Sequence, residues 1–590
     1  MDAAHTALRS VFGFEAFRPG QAEAVRAVTG PGAPRDVLVV MPTGAGKSLC
    51  YQLPALVRDD LTVVVSPLVS LMQDQVEALE RVAPGRAALV NAQQDAEANR
   101  AALARAAAGE VRLLYIAPER FSSPGFAEAL RAAHVGLFVV DEAHCVSQWG
   151  HDFRPDYFRL ADAARWLGAQ ALVASTATAT PQVAADIVAR LGLRDPVRVT
   201  TGFDRPNLSF AVVPCRGAAD KRARLAAALA QDSARPAIVY AGTRAETEDL
   251  AGTLEGALGI EVLAYHAGLG RQERAEAQRR FMGGEVEVVV ATNAFGMGVD
   301  KADVRTVAHA TVPGSVEAYY QEAGRAGRDG LASRALLFAE SRDKGLHVFF
   351  IQRAEVDDAA LEAVAGTLLR AAVDGRYDLP VGSAGDPEPE RVRAIVGHLA
   401  RAGVLRPAPA PIDRLRGRVL AAFDGRARAT CRSSAGDAQR ARWRQYRAVW
   451  AFVEGSECRR AAILRHFGDR AEPRAEGACC DVCAPELVPA APLARAVPGG
   501  PPPGDLDAAI VDVVTGAEPS VGRTRTVEIL RGGRSQVVRK NAYDGLPAYG
   551  TFSHLRAEEV LARVDELLDE GRLVSTGGAY PKLRMGRAAA

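Results

Sequence analysis

The sequence has no apolar run long enough to cross a bilayer, and its start, Met1-Asp2-Ala3-Ala4-His5, lacks the basic-then-apolar pattern of a signal peptide. It also lacks an excess of charge of either sign. The 72 Lys and Arg residues stand against 71 Asp and Glu residues, a formal net charge of +1. This balance excludes a uniformly basic coat, so any nucleic-acid binding must come from local patches.

Cysteine is scarce and unevenly placed. Four of the eight cysteines are scattered, and the other four cluster near the end of the chain, at Cys458, Cys479, Cys480 and Cys483. A secreted disulfide framework would instead spread its bonds through a small domain. We therefore expect a reduced, cytoplasmic protein with one metal site.

The 590 residues exceed what one hydrophobic core can organise, and such a length predicts about three to five domains. From about residue 36 to 340, short apolar runs alternate with longer helical stretches. Near-continuous apolar strands separated by helices indicate parallel sheets that are buried on both faces. The runs that we interpret as strands are Val37–Val40, Val63–Val65, Leu113–Ile116, Leu137–Val140, Leu172–Ala174, Ile238–Tyr240, Val288–Val290 and Ala335–Phe338.

The predicted fold class is α/β, with two tandem RecA-like motor domains, a helical zinc-binding region and a C-terminal winged helix. The segment Asp204-Arg205-Pro206-Asn207 separates the two series of strands, and residues 485–505 are a Pro/Ala/Gly-rich linker. The predicted boundaries are 1–203 and 204–349 for the motor domains, 350–435 for an inserted helical or winged-helix-like module, 436–485 for the zinc region, 486–505 for the linker and 506–590 for the winged helix.

A phosphate-binding loop follows the first strand. Thr43-Gly44-Ala45-Gly46-Lys47-Ser48 joins that strand to a helix, and glycines let backbone N–H groups close on phosphate oxygens. Lys47 would reach the β- and γ-phosphates, and the Ser48 hydroxyl would bind Mg²⁺. Met41 stands where the strict pattern has glycine, and an ordinary Gly-rich turn is the alternative interpretation.

Two acids follow a buried strand at Asp141-Glu142, before Ala143-His144. Adjacent residues at a strand end point in different directions, so Asp141 can hold Mg²⁺ while Glu142 deprotonates the attacking water. The alternative is a surface acidic pair.

Arg325 and Arg328 lie in a glycine-containing segment of the second motor domain. Their spacing predicts that they share one helix face, from which one arginine could meet the γ-phosphate. A solvated basic helix is the alternative.

These segments, in this order, resemble the RecQ family of superfamily 2 DNA helicases. The resemblance runs from Phe17 to about Lys344 and resumes at about Arg444. It implies that Arg18 packs against adenine and that the Gln21 amide binds the adenine edge. It also implies that Ser175-Thr176-Ala177-Thr178 couples ATP hydrolysis to DNA.

The segment from Cys145 to Tyr157 resembles the aromatic-rich loop of that family and directly follows Glu142. We expect Trp149, Phe153 and Arg154 to bind DNA, because each base stacked on an aromatic ring contributes about 1–3 kcal/mol. A buried aromatic cluster is the alternative.

Four thiolates suit a tetrahedral zinc ion, and Cys480 and Cys483 have the usual two-residue spacing. The common bacterial spacing would place a cysteine at 477, which is glycine here, and the Cys479-Cys480 pair resembles the Werner-type variant of the family. We predict one structural zinc on Cys458, Cys479, Cys480 and Cys483. Four unligated thiols are the alternative.

The C-terminal segment is rich in arginine and ends in a Gly-containing hairpin, which resembles the RecQ winged helix. Arg534 and Tyr580 would contact duplex DNA, with cations positioning phosphates rather than reading bases. A solvated basic face is the alternative. The end of the sequence at Ala590 is expected to leave no room for the helical C-terminal module of many relatives.

The resemblance implies an ATP-dependent helicase that travels 3′-to-5′ and unwinds duplex DNA in repair and recombination. ATP, Mg²⁺ and Zn²⁺ are the expected cofactors. The expected partners are DNA, with a single-stranded tail and a duplex junction, and a single-strand-binding protein or other repair factors; a membrane is not expected. A DNA-stimulated translocase that remodels DNA complexes without separating strands is the second hypothesis, and a DNA-binding module with an inactive ATPase is the third.

Overall fold

A computed structural model describes residues 2–30, 32, 34–91, 94–122, 124–147, 157, 159–296, 301–408, 410, 413–489, 506–533, 535, 537–538, 541–576 and 581–586. The chain divides into two compact units, Met1–Pro492 and Leu493–Ala590, which are described separately. Within the described residues, no helix combines the length and the apolar character that crossing a membrane requires.

The first motor domain is built on a seven-stranded parallel sheet. Its strands run in the order β3-β4-β2-β5-β6-β1-β7. They are β1 (Val37–Val40), β2 (Leu61–Val65), β3 (Ala87–Val90), β4 (Leu113–Ile116), β5 (Val135–Val140), β6 (Ala171–Thr176) and β7 (Val197–Thr200). Val37 and Val39 pack into the core on one face of the sheet, and Leu38 and Val40 into the core on the other. Two covered faces explain why these strands are continuous apolar runs.

In the part of this domain that the structure describes, eight helices accompany the sheet. They are α1 (Asp2–Ser10), α2 (Gln21–Thr29), α3 (Leu49–Val57), α4 (Val69–Val82), α5 (Ala96–Ala107), α6 (Pro124–Arg131), α7 (Leu160–Trp166) and α8 (Pro181–Leu191). Short 3-10 turns at Pro118–Ser122 and Ala143–Val146 follow β4 and β5. Because all strands are parallel, the segments after β1, β2, β4 and β5 meet at one edge of the sheet.

The second motor domain has a six-stranded parallel sheet in the order β10-β11-β9-β12-β13-β8. Its strands are β8 (Leu208–Pro214), β9 (Ala237–Tyr240), β10 (Val262–Tyr265), β11 (Val288–Ala291), β12 (Thr306–His309) and β13 (Ser333–Ala339). Its helices are α9 (Ala218–Leu229), α10 (Arg244–Leu258), α11 (Arg271–Met282), α12 (Val316–Ala323) and α13 (Ser341–Arg353).

The module predicted at 350–435 contains a three-stranded antiparallel sheet. The order of its elements is α14 (Asp358–Ala371), β14 (Arg376–Pro380), α15 (Pro389–Arg401), β15 (Leu405–Ala408) and β16 (Arg414–Val419). The strands pair in the order β14-β16-β15. A helix, a strand, a second helix and a closing hairpin give the winged-helix-like arrangement, and the module has its own core.

The zinc region begins on a long helix. Helix α16 (Gly425–Glu454) packs against α12, α13 and α15, and α17 (Arg459–His466) packs against α12 and β8. A 30-residue helix therefore connects the inserted module with the second motor domain.

The C-terminal unit has a core of its own. It contains α18 (Leu506–Gly516), α19 (Arg523–Leu530), α20 (Ala557–Asp569) and the hairpin formed by β17 (Leu573–Ser575) and β18 (Leu583–Met585). Helices followed by a short antiparallel hairpin agree with the predicted winged helix.

Candidate nucleotide and zinc sites

The loop after β1 has the backbone shape of a phosphate cradle. Gly44 and Gly46 have φ angles of +86° and +83°, which side chains other than glycine rarely adopt. A Cβ at Gly46 would also lie 2.6 Å from Nε2 of Gln21. Lys47 and Ser48 follow at the start of α3, where helix N–H groups favour an anion.

Arg18 and Gln21 contact this loop directly. Nε2 of Gln21 donates to the carbonyl oxygens of Ala45 (3.3 Å) and Gly46 (3.0 Å). Nη1 of Arg18 donates to the Gly44 carbonyl (2.8 Å), and the Arg18 N–H donates to Oε1 of Gln21 (2.9 Å). Both residues therefore lie beside the loop, as the predicted adenine-binding role requires, and they also support its backbone.

Asp141 lies at the carboxyl end of β5, opposite Ser48. The buried Tyr51 connects them, because its hydroxyl hydrogen-bonds Ser48 and its pKa is raised by burial and by the Asp141 carboxylate. Burial raises the pKa of Asp141, the Glu142 carboxylate raises it further, and the nearby Lys47 ammonium lowers it. A hydroxyl and a buried carboxylate beside a lysine are hard oxygen ligands that fit Mg²⁺.

Glu142 is held in an unusual backbone conformation. Its φ of 46° and ψ of 48° are left-handed, which costs about 1–3 kcal/mol for a residue other than glycine. Its Oε2 lies 3.3 Å from Nδ1 of His144, which is 3.0 Å from the Thr176 hydroxyl. The buried His144 thus connects the predicted catalytic acid with the predicted coupling segment at the end of β6.

The aromatic-rich segment is attached to this site at both ends. Its first residues form the 3-10 turn directly after Glu142. At its other end the buried Tyr157 hydroxyl donates to the Asp141 carbonyl (3.1 Å). The predicted DNA-contacting residues Trp149, Phe153 and Arg154 lie outside the described residues.

The predicted shared helix face of Arg325 and Arg328 is wrong. Helix α12 ends at Ala323, and Gly327, with φ of +57°, turns the chain between the two arginines. Nη2 of Arg325 lies 3.4 Å from the Cβ position of Gly296, inside the second motor domain. Cγ of Arg328 lies 3.7 Å from the Cβ position of Gly44. Of these two arginines, Arg328 is the one placed against the phosphate loop.

Arg205 is a site residue that the sequence analysis missed. Its Nη1 donates to the carbonyls of Thr43 (3.2 Å) and Gly324 (3.1 Å), and its Nη2 donates to those of Ala326 (3.0 Å) and Gly327 (3.0 Å). Burial lowers the pKa of Arg205. One guanidinium therefore joins the phosphate loop to the turn that carries Arg328. The polar run Asp204–Asn207 was a signal, but it was interpreted only as a domain separator.

These groups line one cavity of ≈ 290 Å³ between the two motor domains. Its walls include Arg18, Thr43, Gly44, Arg205 and Arg328. Arg18 and the start of the phosphate loop therefore share a single cleft with Arg205 and Arg328.

The four clustered cysteines come together as predicted. Their Sγ atoms all lie within 4.8 Å of one another, and Sγ of Cys458 lies 3.6 Å from that of Cys479 and 3.9 Å from that of Cys480. Four sulfurs around one zinc at about 2.3 Å are about 3.8 Å apart, whereas a disulfide bond is about 2 Å long. The donor set and its spacing fit one tetrahedral Zn²⁺.

Arg460 connects the zinc region to the segment between the motor domains. The fully buried guanidinium pairs with Asp204 (2.5 Å), donates to the Arg205 carbonyl (2.8 Å) and also donates to the Leu208 carbonyl. The Arg460 side chain also hydrogen-bonds Cys479. A continuous set of contacts therefore runs from the cysteine cluster to Arg205 at the nucleotide cleft.

The C-terminal DNA-contact predictions are not placed by the structure. Arg534 and Tyr580 both lie outside the described residues. In the same unit, the exposed Arg523 pairs with Asp565.

Four family models match the chain in this order. They are DEAD/DEAH box helicase over residues 18–187, helicase conserved C-terminal domain over 220–330, RecQ zinc-binding over 423–484 and RQC domain over 508–590. The zinc-binding match covers the whole cysteine cluster, so zinc is a cofactor of this region.

Curated relatives match 59–60% of this chain. The ATP-dependent DNA helicase RecQ of Bacillus subtilis (strain 168) is 43% identical over 357 residues, which are 60% of this chain and 59% of the relative. That of Pasteurella multocida (strain Pm70) is 40% identical, over 60% of this chain and 55% of the relative. The chain thus spans less than two thirds of the length of these relatives. The probable ATP-dependent DNA helicase RecS of Bacillus subtilis is 39% identical, over 59% of this chain and 69% of the relative.

A solved structure shares the fold. The crystal structure of the DUF1998 helicase MrfA bound to DNA and AMPPNP has a TM-score of 0.50 and 20% identity, and the match covers 72% of this chain and 62% of that chain. The order of the four family models, the RecS match over more than two thirds of that protein and the cysteine cluster agree. The chain belongs to the RecQ family of DNA helicases.

Proposed function

We propose that this chain is an ATP-driven motor that moves 3′-to-5′ along one DNA strand and unwinds the duplex ahead of it, in DNA repair and recombination. The observation that carries the proposal is the cleft itself. Arg328 of the second motor domain lies against Gly44 of the phosphate loop, at the sheet edge where Asp141 and Glu142 end β5. A nucleotide bound there would contact both domains, so its hydrolysis would change the contacts between them.

Binding of ATP would use the loop from Thr43 to Ser48. Its N–H groups and Lys47 would hold the phosphates, while Arg18 and Gln21 would hold the adenine. Ser48 and Asp141 would hold Mg²⁺, which neutralises charge between the phosphates when bound. Of these residues, Arg18, Thr43, Gly44 and Ala45 line the cavity itself.

Glu142 would take the proton of the attacking water. Its buried carboxylate is kept in place by the 3-10 turn and by the neighbouring His144 ring, so it does not need to reorient. Arg328 would stabilise the negative charge that develops on the γ-phosphate during hydrolysis. Such an arginine accelerates hydrolysis about 10³- to 10⁵-fold in other nucleotide hydrolases. Arg325 would instead stabilise the second domain from inside.

Coupling to DNA would pass through the aromatic-rich segment. Because this segment is attached to the acids at Cys145 and at Tyr157, a strand that moves it would also move Asp141 and Glu142. Separating one base-pair step costs about 1.4 kcal/mol of stacking, and a base stacked on an aromatic ring recovers about 1–3 kcal/mol. Strand separation is then nearly balanced, and ATP hydrolysis supplies direction.

The C-terminal winged helix would hold the duplex side of the junction through Arg534 and Tyr580. We also propose that the protein works in the cytoplasm, on the nucleoid when bound to DNA, with a single-strand-binding protein as a candidate partner.

Strand displacement tests this function directly. The full chain with ATP and Mg²⁺ should release the labelled strand of a duplex with a 3′ single-stranded tail, and release much less from a duplex with a 5′ tail. Single-stranded DNA should stimulate ATP turnover. Lys47→Ala and Glu142→Gln should abolish turnover, because they remove phosphate binding and water activation.

Two outcomes would contradict the proposal in different ways. DNA-stimulated turnover with tailed duplexes left intact would identify a translocase that remodels DNA complexes. Wild-type kcat in either variant would remove the assignment of Lys47 or Glu142.

A further inference from the structure

The inserted module carries a charged sheet face that the nucleotide site does not use. On one side of this sheet, Tyr377, Leu379, Leu405 and Leu415 belong to the core of the module. Because side chains alternate along a strand, the intervening residues must all lie on the opposite face.

That opposite face is rich in arginine, and its uncharged residues are Pro380 and Ala408. In the strand register, Arg418 of β16 lies opposite Arg376 of β14 on one side and opposite Arg406 of β15 on the other. Asp378 of β14 lies opposite Arg416 of β16. Arg414 is the next residue on the same face, so five arginines and one aspartate give a formal net charge of +4. We call this surface the arginine face; it comprises Arg376, Asp378, Arg406, Arg414, Arg416 and Arg418. All except the half-buried Arg414 are exposed.

The aspartate of this face neutralises only part of its positive charge. Asp378 pairs with Arg414 (2.6 Å) and Arg416 (2.8 Å). Within the part of the chain that the structure describes, no ion pair involves Arg376, Arg406 or Arg418. These three form one row across the three strands, and like charges directly opposite each other destabilise a sheet. A polyanion laid along the row would remove that repulsion.

The module also packs against the first motor domain. Strand β15 packs against the turn Pro118–Ser122 at the carboxyl end of β4 in the first motor domain. On the core side of the sheet, burial raises the pKa of Tyr377, and the charge of Arg159 opposes that rise. Arg159 comes two residues after Tyr157, where the aromatic-rich segment ends. The arginine face therefore belongs to a module that contacts the first motor domain close to Arg159.

Helix α15 is not available to read bases. Its residues Val396–Leu399 are buried, and Nδ1 of His398 lies 2.8 Å from the Ser434 hydroxyl of α16. A nucleic acid would meet the sheet, whose guanidinium groups recognise phosphate rather than sequence. The module also lies largely between the residues matched by the second and third family models, 220–330 and 423–484.

We infer that the arginine face is a further DNA-binding site, which holds the phosphodiester backbone of the duplex without sequence preference. This inference rests on the proposed action on DNA and adds a site to it. Its role is to hold DNA beside the first motor domain while the motor advances.

The test compares two triple variants of the full chain that lose the same charge. Arg376→Gln, Arg406→Gln and Arg418→Gln are combined in one. The matched control combines Arg81→Gln, Arg100→Gln and Arg216→Gln, three exposed arginines elsewhere in the motor domains. Affinity for a tailed duplex is measured by fluorescence anisotropy from 50 to 200 mM salt.

The slope of the logarithm of DNA affinity against the logarithm of salt concentration reports the number of phosphate contacts. Loss of three contacts should lower this salt slope by about 2.7. Between 50 and 200 mM salt, the affinity of the wild type should therefore fall about 40-fold more than that of the arginine-face variant. The control should keep the wild-type slope. Asp378→Asn should strengthen binding, because it removes the only negative charge of the face. ATP turnover without DNA should not change in any of these variants.

An arginine-face variant with the slope of the control would overturn the inference, even if the wild type unwinds DNA. If the wild type binds the tailed duplex but does not unwind it, the proposed function is contradicted. The comparison of salt slopes would still decide whether the arginine face binds DNA. A wild type that binds no DNA would overturn both. If the wild type binds phosphatidylserine vesicles, the arginine-face variant does not, and both bind DNA equally well, the face would be assigned to a lipid surface instead.

Discussion

At the residue scale, the two motor domains are joined by one guanidinium. Arg205 donates four hydrogen bonds, one to Thr43 in the phosphate loop and three to the turn from Gly324 to Gly327. Lysine carries the same charge but has no planar fork and cannot satisfy this set of carbonyls. Arg205 thus positions Arg328 relative to the phosphates without being expected to touch them.

Arg205→Lys should lower kcat of DNA-stimulated ATP turnover by about 10- to 100-fold, since misplacement of a reacting group by about 1 Å can cost that much. The KM for ATP should change less, because Arg18, Gln21 and Lys47 remain. Steady-state kinetics measure both constants. Arg222→Lys, on the exposed face of α9 with its partner Asp249 at 2.5 Å, is the control. An unchanged kcat in Arg205→Lys would remove this role.

A buried histidine makes the inserted module sensitive to acid. Burial lowers the pKa of His398 to about 4, and the charges of Arg401 and Arg442 add to this effect. Its pKa when unfolded is about 6.5, so the unfolded state binds the proton more tightly. The module keeps its full stability above about pH 6.5 and loses stability as pH falls from there towards 4.

Through this histidine, lowering the pH from 7 to 5 should reduce the free energy of unfolding of the module by about 2 kcal/mol. His398→Gln should remove most of that dependence, although it will lower stability at pH 7 if the contact with Ser434 is lost. Hydrogen exchange of the α15 amides, corrected for intrinsic rates, measures the effect. Equal pH dependence in the wild type and the variant would show that another group titrates.

At the scale of elements, the order of strands and helices followed from the sequence. The predicted strands Val37–Val40, Leu113–Ile116 and Leu137–Val140 all lie in the first sheet, because burial on both faces requires continuous apolar runs. The predicted runs did not include β3, β7, β8, β10 and β12. Among these, β7 and β10 contain residues that are not fully buried. Both are edge strands of their sheets.

The zinc region shows how a short element can stabilise a larger one. Cys458 precedes α17, and the other three cysteines lie within five residues of one another after a 20-residue gap. Zinc binding would fix the segment from Cys458 to Cys483. Arg460, which lies in this segment, would then be held against Asp204 and Leu208. Breaking such a buried pair typically costs about 3–5 kcal/mol.

The purified protein should contain one zinc per chain by elemental analysis. Cys480→Ser should lose most of the zinc and lower the unfolding temperature, because structural zinc sites contribute about 10–16 kcal/mol of folding free energy. Cys215→Ser, at a half-buried cysteine outside the cluster, is the matched control and should keep its zinc. A metal-free wild type with native stability would contradict the site.

At the scale of the whole molecule, the chain consists of two compact units with a Pro/Ala/Gly-rich segment at their junction. Each unit has its own core. The nucleotide cleft and the cysteine cluster lie entirely in Met1–Pro492, and the RQC match lies in the other unit.

A chain that ends at Pro492 should therefore fold and keep DNA-stimulated ATP turnover. Its affinity for a tailed duplex should fall about 10-fold or more, because the winged helix would no longer hold duplex phosphates. Circular dichroism and anisotropy measure folding and affinity, and single-stranded DNA is the control ligand. Unchanged duplex affinity would argue that the C-terminal unit has another role.

The sequence by itself determined the two parallel sheets, and it predicted the phosphate loop, the acids after β5 and the cysteine cluster. Each of these depends on local patterns, either continuous apolar runs or short motifs at fixed spacing. The sequence also predicted the inserted module, although not the alignment of its arginines.

Only the tertiary structure decided which arginine reaches the phosphate loop, because α12 ends before both arginines and Gly327 turns the chain between them. It also revealed Arg205, Arg460 and the arginine face. Their partners are distant in sequence, since Arg205 and Thr43 are 162 residues apart and Arg460 and Asp204 are 256 residues apart. Contacts of this kind arise from how domains pack and from strand register, which leave no local signal.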